Sequence, residues 1–193
     1  MNPYLESSEY IDWNFPEVEE KAIQLANGKT SDEEITKACF EFVRDEIKHS
    51  WDHQLNPVTS KASEVLEHKT GYCYSKSHLL AALLRANGIP AAMCYQRLTF
   101  QDNRPPFCLH GLNSVQLKRH GWVRIDARGN REDIFAGFDP PHEILAFEIK
   151  SEGEADIEGL FEKPLDEVVE VLTTFHDFKA VAENLPDLKA GRC

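Results

Sequence analysis

Cys73, His110 and Asp126 are the side chains of this sequence whose types could together make a thiol nucleophile, its base and the group that orients the base. Cys73 stands in KTGYCYSKSHLLAALLRANGIP, residues 69–90. A glycine turn precedes it, a strongly apolar helical run follows, and Asn87-Gly88 with Pro90 ends that run. The sulfur therefore sits where a loop becomes the first turn of a buried helix. Backbone N–H groups are unpaired there and the helix carries partial positive charge, so a thiolate is stabilised and nucleophilic. The competing reading is a buried, inert thiol. His110 lies in FCLHGLNSVQL (107–117) and Asp126 in WVRIDA (122–127), on either side of the turn Lys118-Arg-His-Gly121. Residues facing one another in a hairpin have a constant index sum. A hairpin centred on Lys118 or Arg119 thus brings Asp126 opposite, or nearly opposite, His110.

The surrounding elements must hold that set. Residues 1 to about 15 read as irregular chain anchored by Tyr4, Tyr10, Trp13 and Phe15. Pro16 opens a first helix with acids in its first turn, and Asn27-Gly28 close it. Ser31 and Glu34 form a capping box for a second helix reaching about Lys48, with Ile35, Ala38, Cys39, Phe42 and Val43 on one face. His49–Thr59 is a loop, and Ser60–Glu67 a short helix that delivers the chain to Gly71. After Pro90 the pattern changes to strands: 91–100, 107–117, 122–127 and 142–149, with turn-rich chain over 101–106. Residues 151–163 read as acidic loop, and the tail as two helical pieces meeting near His176-Asp177. Short connections favour antiparallel pairing. The expectation is an α+β fold in a single domain, 1–193, with a core over about 30–150 and a helical tail over about 164–185.

The segments GYCYSKSHLLAALLRANGIPA, FCLHGLNSVQL and GWVRIDARGN, with EFVRDEIKHS and KASEVLEHKTG ahead of them, resemble the transglutaminase-like superfamily of papain-like thiol enzymes. The resemblance covers roughly residues 35–130. It implies a papain-like core in which a cysteine-bearing helix packs on an antiparallel sheet. It implies Cys73 as nucleophile, His110 as general base and Asp126 as the residue orienting His110. Two departures stand out. Many members carry His-Ala-Trp-Val where this chain has His110-Gly-Leu-Asn113, and Pro-Thr after the aspartate where it has Ala127-Arg128. For an oxyanion the backbone N–H of Cys73 is a natural donor at a helix start. Trp51 and Gln54 are candidates for a second donor, and Tyr72 for the cleft wall.

Composition narrows the partners. The net charge is −12 and the pI about 5.1, which disfavours nucleic acid and anionic membranes. The N-terminus lacks a signal peptide's basic and apolar regions, and no apolar run is long enough to span a bilayer. Five scattered cysteines, 39, 73, 94, 108 and 193, without a C-x-x-C pair suit a reducing cytoplasm. No cofactor is expected. His49 and His53 are spaced for metal but lack a third ligand, and 151–158 lacks a calcium-loop pattern. Cys39, Cys94 and Cys108 read as core, Cys193 as exposed, His78 as structural, and His68, His120 and His142 as loop residues. The functional expectation is a thiol enzyme acting on a peptide, protein or small amide through a thioester, with water as the favoured acceptor. Acyl transfer to an amine, an arylamine acetyltransferase-like acyl transfer, and a non-catalytic binding module on the same fold are the alternatives.

Overall fold

The computed structural model describes residues 2–101 and 104–188. After a short 3-10 turn at Pro3–Leu5, the chain forms α1 (Pro16–Ala26), α2 (Asp32–Glu46), β1 (Lys48–His49), α3 (Ser50–His53), α4 (Ala62–His68), β2 (Thr70–Gly71) and α5 (Cys73–Ala86). The sheet region follows as β3 (Ala91–Gln101), β4 (Arg104–Leu117), β5 (Gly121–Ile125), β6 (Gly137–Asp139), β7 (His142–Ile144) and β8 (Ala155–Phe161). Two tail helices, α6 (Asp166–Thr174) and α7 (Phe178–Glu183), close the described chain. This is the α+β arrangement that the pattern implied.

Everything packs around α5. Each residue from Cys73 to Arg85 is buried, as expected of a helix that is apolar on most sides. α1, α2 and α4 pack against it from one side, β3 and β4 from the other. The capping box at Ser31 and Glu34 forms as expected. The buried stripe of α2 is Thr36, Cys39, Phe40 and Val43, so the inward face is rotated toward Phe40 relative to the sequence reading. Phe42 lies outside that stripe, with the ammonium groups of Lys21 and Lys69 over its ring.

Most polar side chains buried on α5 find partners, as burial requires, although His78 Nε2 has none among the described residues. Arg85 donates to the carbonyls of Ala91, Glu6 and Glu162. Asn113 of β4 reaches the carbonyls of Ser77 at 3.0 Å and Ala92 at 3.3 Å, pinning helix to sheet. His78 bonds the Ser60 carbonyl through Nδ1 at 2.7 Å, in the structural role expected of it. Burial holds its pKa down to about 4. The unfolded chain takes that proton near pH 6.5, so His78 favours the fold above that pH and costs stability as pH falls toward 4. Wild-type stability should drop by roughly 3 kcal/mol from this group over that window. Thermal unfolding at stepped pH checks this, and His78→Gln should flatten that part of the curve; an equally steep curve refutes it.

The main sheet has the order β5-β4-β3-β8 and is antiparallel throughout. Three expectations change here. Residues 151–163 are not all loop: within them β8 (Ala155–Phe161) pairs with β3, Tyr95 facing Ile157 and Met93 facing Phe161. An edge strand with one partner keeps its acids in solvent, so its sequence looks like loop until its partner is known. Of the chain over 101–106 read as turn-rich, Gln101 and Arg104–Pro106 are strand, β4 beginning at Arg104 and pairing back to Gln101, and positions 102 and 103 lie outside the described residues. The 142–149 segment joins no main-sheet strand. Only His142–Ile144 is strand, in a small hairpin with β6, and His142 faces Asp139. Among the described residues no helix is long and apolar enough to cross a membrane.

Candidate active site

Cys73 is the first residue of α5, and β1 pairs in parallel with β2 just before it, His49 facing Gly71. β4 and β5 form the expected hairpin, with Leu117 facing Gly121 and Asn113 facing Ile125. The turn therefore centres on Arg119. Asp126 lies just past the end of β5, diagonal to His110 on the same face rather than directly across, still within reach of an imidazole. His110 Nε2 and Asp126 Oδ2 are 2.8 Å apart.

Asp126 is fully buried and accepts two further bonds, from the N–H of Arg128 at 3.1 Å and of Ala146 at 3.0 Å. Burial opposes its charge, but His110 and these N–H groups outweigh it and hold the carboxyl below its ordinary range. Ala146 belongs to the segment read as strand from the sequence. Its irregular backbone is what frees that N–H for Asp126.

The imidazole bridges Asp126 and the sulfur. Burial again opposes charge, yet the Asp126 carboxylate and the Cys73 side chain bonded to the ring raise the pKa of His110 to about 10. With Nε2 facing Asp126, Nδ1 is left for the thiol. Sγ also receives the backbone N–H of Gly111 at 3.5 Å. Gly111 lets strand and helix approach this closely: a Cβ there would lie 3.0 Å from Tyr74 Cδ1 and 3.1 Å from Tyr74 Cα. The Tyr74 hydroxyl donates to the Leu109 carbonyl and fixes the same approach.

Behind the imidazole stands a set of side chains with no spacing signal in the sequence. Phe147 meets His110 edge-on, ring centroids 4.9 Å apart. The Arg128 guanidinium lies 5.5 Å from the Phe147 centroid and grips Asp52 with two bonds of 2.7 and 3.1 Å. Arg131 shares the same carboxylate at 3.0 Å. Arg128 is the residue standing where the family's threonine is expected, and that departure was the one available hint. His49 is buried edge-on to Tyr72; burial, then the charge of Arg128, pushes it well below the ordinary histidine range. Lys76, one helical turn past Cys73, is buried with its ammonium on the Ile47 carbonyl, and burial lowers its pKa to about 7.

The remaining candidates are more dispersed. Tyr72 is buried, and its hydroxyl donates to the Phe178 carbonyl. Trp51 is 41% exposed with its ring against Phe178, and Gln54 is exposed at the left-handed end of α3. Both line a groove of about 470 Å³ with Asp52, Arg131, Phe178, Lys179 and Glu183. That lining does not include Cys73. His53 is exposed while His49 is buried, and among the described residues no three His, Cys, Asp or Glu side chains gather as a metal site. Cys39 and Cys94 are buried and Cys108 is half-buried; Cys193 lies outside the described residues. His68 ends α4, and His120 in the turn lies 3.3 Å from Glu33.

The family model of the transglutaminase-like superfamily matches residues 19–127. The chain belongs to the transglutaminase-like superfamily. The match takes in α5, β4 and β5 and ends just past Asp126. A putative cysteine protease from Cytophaga hutchinsonii shares the fold, with TM-score 0.51 and 21% identity over 65% of this chain and 41% of that one. The periplasmic domain of TgpA from Pseudomonas aeruginosa gives TM-score 0.47 and 17% identity, over 64% and 45% of the two chains. Red sea bream transglutaminase gives TM-score 0.41 and 13% identity, over 65% and 27%. The chain thus spans less than half the length of each of these solved structures. No curated protein matches the sequence.

Proposed function

We propose that this superfamily member is a thiol enzyme that opens amide or peptide bonds through an acyl-enzyme on Cys73. The observation that carries the reading is the His110 imidazole held between Asp126 and the Cys73 sulfur at a helix start. Asp126 fixes the tautomer and orientation of His110 and favours the imidazolium. The thiolate attacks the carbonyl carbon, and the tetrahedral oxyanion meets the N–H of Cys73. Imidazolium gives its proton to the departing amine as the C–N bond breaks, leaving a thioester. Neutral His110 then takes a proton from water, hydroxide adds to the thioester, and the thiolate leaves as a carboxylic acid forms. An amine in place of water completes a transglutaminase reaction by the same steps. Water is the proposed acceptor, since it is always present at the site. The substrate is a peptide, a protein or a small amide.

The test is intact mass after incubation with a panel of peptides and amides. The wild type should gain the mass of an acyl group and release product, and Cys73→Ala should do neither. Absence of any adduct, with iodoacetamide alkylation of Cys73 unchanged by His110→Ala, would sink the reading.

A further inference from the structure

Cys73 is 8% exposed and His110 4% exposed, little for a sulfur that must meet a peptide. The chain's own C-terminal segment is bonded to the residue that precedes each of them. One end is fastened at Tyr72, the residue before Cys73, whose hydroxyl bonds the Phe178 carbonyl. The other is fastened at Leu109, the residue before His110, whose N–H donates to the Pro186 carbonyl at 2.7 Å. Between these points α7 buries Phe178 and Val181 in the same cluster as Tyr72 and Cys73.

The Leu109 bond sits on an open sheet edge. β5 accompanies β4 only from Asn113 onward, so the N–H groups of Leu109 and Gly111 face outward beyond the end of β5. Gly111 points at the sulfur, and Leu109 points at Pro186. Residues two apart on a strand are about 7 Å apart, so the Pro186 carbonyl occupies the same edge immediately beside the nucleophile. An open edge is where an extended peptide docks as an added strand. The next residue, Asp187, is gripped by Arg97 through two bonds of 2.6 and 2.7 Å. Arg97 faces Leu109 across the β3–β4 ladder, and its guanidinium lies 3.7 Å over Phe107. Asn56 clasps the start of the segment, accepting from the Phe178 N–H and donating to Asp177, each at 2.9 Å.

We infer that residues 177–188 occupy, in cis, the groove that an acyl-donor peptide must enter. The groove takes an extended peptide whose carbonyl accepts the Leu109 N–H and whose next side chain is a carboxylate for Arg97. Calling its ligand an acyl donor rests on the function proposed above; the occlusion of Cys73 does not.

The test uses the full chain and reads iodoacetamide alkylation of each cysteine by peptide mass mapping. Asp187→Lys should speed alkylation of Cys73 tenfold or more, and the separate double variant Arg97→Asp with Asp187→Arg, which restores an opposite-charge pair, should react close to the wild-type rate. A synthetic peptide of sequence DFKAVAENLPDL should slow Cys73 alkylation in the Asp187→Lys protein, and the same peptide with lysine for its last aspartate should not. Cys39, deep in the core, is the internal reference. An unchanged Cys73 rate in Asp187→Lys, an equal rise at Cys39, or no protection by the peptide would each overturn the inference. Turnover plays no part in this readout, so a protein that forms no acyl-enzyme still tests the groove.

Discussion

Asp126→Asn should lower turnover by about 10³–10⁴-fold while the chain still folds. The carboxylate accepts three N–H bonds, two on Oδ2 and one on Oδ1. An amide keeps one acceptor oxygen and turns two hydrogens toward N–H groups that are themselves donors. Placed toward His110, the amide nitrogen calls for an acceptor at Nε2 and so selects the wrong tautomer. Placed toward Arg128, it leaves a donor facing a donor. Either way the negative charge that opposes the burial penalty on His110 is gone, and the pKa of about 10 falls. The imidazolium–carboxylate pair stabilises the native state fully below about pH 6.5, and that contribution fades as pH rises toward 10. Alkylation of Cys73 at pH 6 should slow in the variant, since the imidazolium no longer supports the thiolate. Stability should fall by about 1–3 kcal/mol from the buried unpaired hydrogens. Turnover within tenfold of wild type would remove Asp126 from the mechanism.

Gly111→Ala should cost more than its single methyl suggests. The added Cβ would meet Tyr74 Cδ1 at 3.0 Å and Tyr74 Cα at 3.1 Å. A ring can turn, but backbone in the first turn of a packed helix cannot move alone. Tyr74 is 1% exposed and its hydroxyl is held by the Leu109 carbonyl, so the start of α5 must shift away from β4. Overpacking of this kind costs about 1–3 kcal/mol. The larger effect is on the chemistry, because the same shift carries Sγ from the Gly111 N–H and from His110. A displacement of about 1 Å in a reacting group costs on the order of 10²-fold in rate. Denaturant unfolding and turnover should therefore both fall, with turnover falling further than the loss of folded protein accounts for. A variant that unfolds more easily yet turns over normally would mean that this strand does not position the sulfur.

Local signals explain what could be read along the chain. The capping box at Ser31, the apolar run of α5 stopped at Asn87-Gly88, and the turn between β4 and β5 each depend on bonds within a few residues. These features are visible in order along the chain. The hairpin register was legible to within its centre. Slipping the centre from Lys118 to Arg119 moves Asp126 from facing to diagonal, and side chains alternate with period two, so the residue keeps its face.

The sequence by itself determined the helix that starts at Cys73, the strands that carry His110 and lead to Asp126, and the family those segments belong to. It did so because helix starts, apolar periodicity and hairpin turns are encoded within a dozen residues. Only the tertiary structure decided that β8 pairs with β3, that Asp52, Arg128 and Phe147 stand behind His110, that Gly111 touches Tyr74, and that the C-terminal segment bonds Tyr72 and Leu109. Those contacts join residues far apart in the chain, and what selects them is burial and pairing in the folded core, which leave no periodic trace in the order of residues.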